Sequence, residues 1–214
     1  FHPAWCALEV AARQRVPAVA FFHSHLPRII GSRCGDRLGR AAGRYLHWLY
    51  GRFDAVLAPS RVMCDYLRSL GLAQVQLQPL GVDTDVFHPQ RRRHDLRQGL
   101  GLPDDVRLLV YAGRFSGEKN IDVLHDAFAR LGRGYHLLMV GGGETRQAAT
   151  NISIIPYQRD SAALATVLAS ADALVHAGTA ETFGLVVLEA MACGRPVVGV
   201  RAAAVAELVD ETVG

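Results

Sequence analysis

Short runs of β-branched and aliphatic residues alternate along this chain with segments whose apolar positions recur every three or four residues. That alternation predicts a parallel α/β architecture. It is densest in the second half. There RLLVYAGR (107–114) predicts a strand, NIDVLHDAFARL (120–131) an amphipathic helix with Asn120 as N-cap, and HLLMVGGG (136–143) a strand closing in a glycine turn. ISIIP (152–156), SAALATVLASA (161–171), ALVHAG (173–178), FGLVVLEAMAC (183–193) and PVVGVR (196–201) continue the swap of strand and helix. The first half is sparser: PAVAFFH (17–23), AVLAPS (55–60) and VQLQPLG (75–81) predict strands, and RVMCDYLRSLG (61–71) predicts a helix. These are too few strands for a complete doubly wound sheet.

Between the halves, residues 81–105 mix turn formers with a charge run and predict an interdomain connection. The expected organisation is therefore a partial first domain over residues 1–92 and a second over 93–214, with the boundary within 88–104. In such sheets ligands gather at the carboxyl ends of the strands, which directs attention to the residues just after them.

Half of the 214 residues are apolar, enough to bury real cores, and a net charge of +3 is too mild for a nucleic-acid binder. Four scattered cysteines (Cys6, Cys34, Cys64, Cys193) have neither disulfide-framework nor zinc-site spacing, which predicts a reducing, cytoplasmic compartment. No apolar run reaches the roughly 20 residues needed to span a bilayer. The chain opens at Phe1 in a His-Pro context and stops at Gly214, so both ends look cut. Lys119 is the lone lysine among 23 basic residues.

Four segments could carry chemistry. GRFSGEKN (113–120) follows a strand and leads into a helix, so Gly113, Arg114 and Lys119 fall where a phosphate cradle would form; the alternative is a polar turn with a solvated ion pair to Glu118. A lysine where the chain otherwise uses arginine favours the cradle, since an ammonium is a compact point charge. In HAGTAETFGLVVLEAMACGRPVV (176–198), Glu181, Phe183, Gly184 and Leu185 sit at a strand-to-helix turn, with Glu189 further along the helix. A helix starting near Phe183 would offer free N–H groups to an anion, and the two acids suit hydroxyl recognition; otherwise they are ordinary helix charges. GGGE (141–144) lacks G-x-G-x-x-G spacing and serves as a tight turn or as a point of close phosphate approach. FFHSHLPR (21–28) places His23 and His25 after a strand, where a histidine could hydrogen-bond a ligand, with a surface turn or a metal pair as the alternatives.

Two further features compete. Asp83-Thr84-Asp85 spells D-x-D but sits in the connection and reads as a turn. RLGRAAGRYLHWLYGRF (37–53) is basic and amphipathic, fit either to pack on its own sheet or to touch an anionic membrane surface.

Together FFHSHLPR, VLAPSRVMCDYL, PLGVDTDVFHP, YAGRFSGEKNIDVLHDAF and HAGTAETFGLVVLEAMACGRPVVG resemble family-4 retaining glycosyltransferases of the GT-B fold, the last segment spelling that family's E-x7-E motif with Glu181 and Glu189. The resemblance implies two Rossmann-like domains with parallel sheets, the first incomplete and the second lacking its last elements. It implies that Arg114 and Lys119 bind the donor diphosphate, Glu181 the transferred sugar and Glu189 the ribose. Phe183, Gly184 and Leu185 would line the sugar and phosphates, and His23 resembles the first-domain histidine that faces the transferred sugar. The expected reaction is metal-independent transfer of a hexose from a UDP- or GDP-sugar to an acceptor hydroxyl with retention, the acceptor being a glycan or lipid, with no separate cofactor and a peripheral place on the inner membrane face. The alternatives are a nucleotide-sugar binder without catalysis and a relative that isomerises its nucleotide sugar.

Overall fold

The computed structural model describes residues 2–143 and 149–209. The chain divides into two compact units, Phe1–Leu80 and Gly81–Gly214.

The first unit runs α1 (His2–Gln14), β1 (Val19–Phe21), α2 (Leu26–Cys34), α3 (Asp36–Tyr50), β2 (Ala55–Ala58), α4 (Arg61–Ser69) and β3 (Val75–Leu77), with its strands parallel in the order β1-β2-β3. The helices form because their apolar positions line up on one face. In α3 the buried residues are Gly39, Gly43, Leu46 and Leu49, a spacing of three or four, while Arg37, Arg40 and Arg44 stay exposed. Leu46 and Leu49 join Phe22, Val56 and Leu67 in the core over the sheet. The packing expected of 37–53 is thus present on one face, with the arginines left on the other. α2 and α3 approach through glycine: a Cβ on Gly39 would come within 3.0 Å of both Gly31 Cα and Pro27 O. Ser60 caps α4, its Oγ accepting from Met63 N–H at 3.3 Å.

The second unit contains α5 (Asp95–Gly99), β4 (Arg107–Phe115), α6 (Ile121–Leu131), β5 (Tyr135–Gly143), β6 (Ile152–Pro156), α7 (Ser161–Ser170), β7 (Ala173–His176), α8 (Leu185–Ala192), β8 (Val197–Gly199) and α9 (Val205–Leu208). Its strands are all parallel, in the order β6-β5-β4-β7-β8. The central strands are apolar throughout because helices cover both faces: Leu108, Val110, Leu137, Leu138, Met139 and Leu174 are fully buried. After β4 the chain adds β5 and β6 on one side, then crosses to add β7 and β8 on the other. The sheet therefore reverses its strand order between β4 and β7.

Three expectations shift. The division falls at Leu80–Gly81, ahead of 88–104, because the segment after it packs on the second unit. Phe87 is buried in that core and Val82, Val86, Leu96, Leu100 and Leu102 pack against it. Arg93 N–H donates to Ser170 Oγ at 2.9 Å, and Arg97 pairs with Asp172 at 3.1 Å while also donating to the Val106 carbonyl. Low strand content is compatible with dense packing. Second, β5 does not close in a turn at its glycines. It continues through Gly143, and Gly141 and Gly143 lie so near β4 that a Cβ would collide with the carbonyls of Gly113 and Phe115. Glu144 lies outside the described residues. Third, Asn120 is no side-chain cap, as described below. Asp83-Thr84-Asp85 forms the expected turn: the Asp83 carboxylate accepts from the N–H groups of Asp85 at 3.0 Å and Val86 at 3.2 Å.

Candidate functional site

The loops that follow β4 and β7 leave the sheet on either side of its reversal point, the place where open α/β sheets leave a crevice for ligands. Each loop is shaped by local chemistry. At the carboxyl end of β4, Tyr111 turns its hydroxyl to donate to the Arg114 carbonyl at 2.8 Å, and burial pushes that hydroxyl's pKa up. A Cβ on Gly113 would come within 2.9 Å of the same hydroxyl. Asn120 adopts a left-handed conformation at φ 51° and donates from Nδ2 to the Ala177 carbonyl at 2.8 Å. It ties one loop to the other, which is why it leaves the α6 N-terminus uncapped.

The second tie is ionic. Lys119 Nζ donates to Glu181 Oε1 in a close ion pair, with the two side chains only 20% and 14% exposed. His176, at the end of β7 and 2% exposed, shares that oxygen, its Nε2 lying 2.9 Å away. Burial pushes the Glu181 carboxyl up, but the hydrogen bond from His176 and the charge and hydrogen bond of Lys119 outweigh it and hold the carboxyl at about 2. Gly178 makes the cluster possible. A Cβ there would fall 2.9 Å from His176 Cε1, 3.4 Å from Glu181 Oε1 and 3.5 Å from Lys119 Cδ.

The remaining assigned residues divide. Arg114 is largely exposed and makes a 3.8 Å ion pair with Glu118, the solvated arrangement weighed against a phosphate cradle. Phe183 is buried, Gly184 takes φ 94°, and α8 begins at Leu185, two residues later than the expected start at Phe183, because a left-handed glycine cannot continue a helix backward. Leu185 is exposed. Glu189 is half-buried on α8, where burial raises its pKa. Gly113, Lys119, Glu181, Phe183, Gly184, Leu185 and Glu189 thus all border the reversal point or the helix leaving it. His23 belongs to the first unit, exposed just past β1. His25 has a structural part: its Nδ1 accepts from Arg28 N–H at 3.3 Å to cap α2, and its ring stacks 4.1 Å from Tyr66.

The site thus joins a paired lysine and glutamate on neighbouring strand-end loops to a second acid on the following helix. Comparison with known proteins decides the lineage. Residues 106–214 match the family described as "Glycosyl transferases group 1", and residues 1–86 match "Glycosyltransferase Family 4". The chain belongs to the group 1 and family 4 glycosyltransferase families. Among its relatives is the GDP-mannose-dependent alpha-(1-6)-phosphatidylinositol dimannoside mannosyltransferase of Mycobacterium tuberculosis, 34% identical over 212 residues, covering 93% of this chain and 55% of the relative. Sulfoquinovosyl transferase SQD2 of Arabidopsis thaliana is 28% identical, covering 96% of this chain and 42% of its own. The chain spans about half the length of these relatives. Among solved structures, Anabaena Alr3699/HepE in complex with UDP-glucose superposes with a TM-score of 0.79 at 22% identity, over 97% of this chain and 60% of that one. Its α/β fold with parallel sheets accordingly has GT-B glycosyltransferases as neighbours.

His176 is the residue that sequence reasoning missed. A histidine ending an apolar strand reads as core, and the one clue was its place five residues before Glu181.

Proposed function

We propose that this glycosyltransferase moves a hexose from a UDP- or GDP-sugar to an acceptor hydroxyl with retention of configuration. The observation that carries the proposal is the pairing of Lys119 with Glu181 across the two loops at the strand-order reversal. Lys119 and Arg114 supply positive charge for the donor diphosphate. The α8 N-terminus, opened by Gly184, adds its dipole. This charge would do the work of a metal, and we assign none. Glu181, ionised beside the lysine, accepts from hydroxyls of the transferred sugar, and Glu189 from the ribose. No residue of the cluster is placed as a nucleophile, so front-face displacement is the preferred route to retention. His23 is assigned to face the transferred sugar on resemblance alone.

GDP-mannose is the first donor to test, because relatives 34% identical are named for it. A lipid-borne glycan is the first acceptor, given the phosphatidylinositol dimannoside in one of those names. The exposed Arg37, Arg40 and Arg44 of α3 suit contact with an anionic membrane surface on the cytoplasmic side. No helix among the described residues is long and apolar enough to cross a membrane.

Calorimetry against a panel of UDP- and GDP-sugars tests the donor assignment. Saturable binding of one nucleotide sugar, weakened by Lys119→Ala, is expected; no binding of any member would overturn it. Binding to anionic but not neutral vesicles tests the membrane contact, and equal binding to both would remove it.

A further inference from the structure

Two donors converge on one oxygen of Glu181. Lys119 Nζ and His176 Nε2 both reach Oε1, while Oε2 has no hydrogen-bond partner among the described residues and is not sealed from solvent. The donors differ in what else they can do. Lys119 is partly exposed and is the cation assigned to the diphosphate, so in the loaded site its charge is divided between carboxylate and phosphate. His176 is buried, and its Nδ1 has no hydrogen-bond partner among the described residues. Among those residues its ring's single hydrogen-bond contact is Glu181.

That arrangement is costly for a purely structural residue. Leu174, Val175 and Ala177 around it are buried and apolar, and a fourth apolar side chain would fill the strand end without leaving a ring nitrogen unmet. An idle buried acceptor costs less than an idle buried donor, so the tautomer with hydrogen on Nε2 fits the surroundings best and makes His176 the donor to Glu181. The backbone is adapted to the same end. Gly178 leaves open the space that His176 Cε1, Glu181 Oε1 and Lys119 Cδ border.

We propose that His176 is a positioning residue of the donor site, fixing Glu181 through Oε1 so that Oε2 is left to accept a hydroxyl of the transferred hexose while Lys119 turns to the diphosphate. The inference rests on the reading of Glu181 as the sugar-binding acid. It extends that reading by naming what holds the acid once the lysine is engaged. Electrostatics agree: burial pushes the Glu181 carboxyl up, and the hydrogen bond from His176 is the first of the contributions opposing it, with the charge and hydrogen bond of Lys119 beside it. Without His176 the carboxyl would titrate at higher pH, and its protonated form would no longer accept two hydroxyl bonds.

The test measures, on the whole chain, affinity for GDP-mannose relative to GDP, and for UDP-glucose relative to UDP, between about pH 5 and about pH 8. In His176→Phe this ratio should fall about tenfold at the acidic end and recover toward the alkaline end, while nucleoside-diphosphate affinity is retained and reports an intact fold. His176→Gln, whose amide reaches as far as Nε2, should keep most of the ratio. His176→Asn, which is shorter, should not. In a Glu181→Gln background, His176→Phe should change the ratio no further. A wild-type ratio in His176→Phe at every pH would overturn the proposal, as would an equal effect in the Glu181→Gln background. If the phenylalanine variant does not fold, equal ratios in the glutamine and asparagine variants overturn it. A parent chain whose ratio is unmoved by Glu181→Gln overturns the sugar-binding reading itself, and the proposal with it.

Discussion

The two units treat charge in opposite ways. In the first, arginines ride the outer face of α3 and, with Arg28, edge an open groove of about 960 Å³ between α2, α3 and α4, their guanidinium groups left in water. In the second, Lys119, Glu181 and His176 are drawn in at the strand ends, with exposures of 20%, 14% and 2%. Burying charge is unfavourable unless it is paired, and even a paired cluster is often no better than an apolar one. Surface arginines need no explanation beyond solubility or a charged partner, whereas a buried triad at a sheet's reversal point does. The difference teaches where to look for chemistry: at the charges a fold could more easily have avoided.

The sharpest way to break the contrast is to empty its centre. Glu181→Ala should lower hexose transfer by on the order of 100-fold, since the sugar loses its positioning acid, with nucleoside-diphosphate affinity changed less than about threefold. Transfer assays beside calorimetry check it, and full activity would overturn the assigned role. Next, the two cations should differ. Lys119→Ala should weaken diphosphate binding about tenfold or more, whereas Arg114→Ala, largely exposed, should cost about threefold and lose that effect at high salt. Equal effects would mean that burial does not separate them.

A third substitution probes the first unit. Gly39→Ala forces a methyl against Gly31 and Pro27, and should destabilise that unit by about 1–3 kcal/mol. Hydrogen exchange should show the loss in α2 and α3, with diphosphate affinity unchanged. A further effect concerns acid. The Glu181 carboxyl is held at about 2 in the fold against an ordinary 4.5, so its ionised form stabilises the second unit fully above 4.5 and ceases to do so as pH falls through about 2. Between those values thermal stability should decline less steeply in Glu181→Gln than in the parent. Glu189, pushed the other way by burial, is present in both.

Much of this was legible in the sequence. Each strand expected from an apolar run formed, because β-branched stretches between helices have few other ways to bury themselves. Lys119 and Glu181 were expected just after strands and Glu189 on the helix that follows, and the structure puts them there. What escaped notice depends on distance in the chain. Lys119 meets Glu181 across 62 residues, and Asn120 meets Ala177 across 57, so nothing local announces either tie. Asn120 has the composition of a cap, yet its left-handed backbone turns its amide toward another loop. The start of α8 was misplaced because Phe183, apolar and buried, fits a helical stripe that Gly184 interrupts. His176 escaped because one buried histidine is indistinguishable by periodicity from a core residue.

The anchoring of residues 81–105 to the second sheet bears on how this lineage could be recombined. A chimera that joins a foreign first unit after residue 92 would discard Phe87 and leave a hole in the core of the second unit, whereas a junction at Leu80–Gly81 keeps Phe87 with the strands and helices it packs on. The splice site for exchanging first units is therefore written in packing, a turn and a short helix ahead of where the charge run would put it.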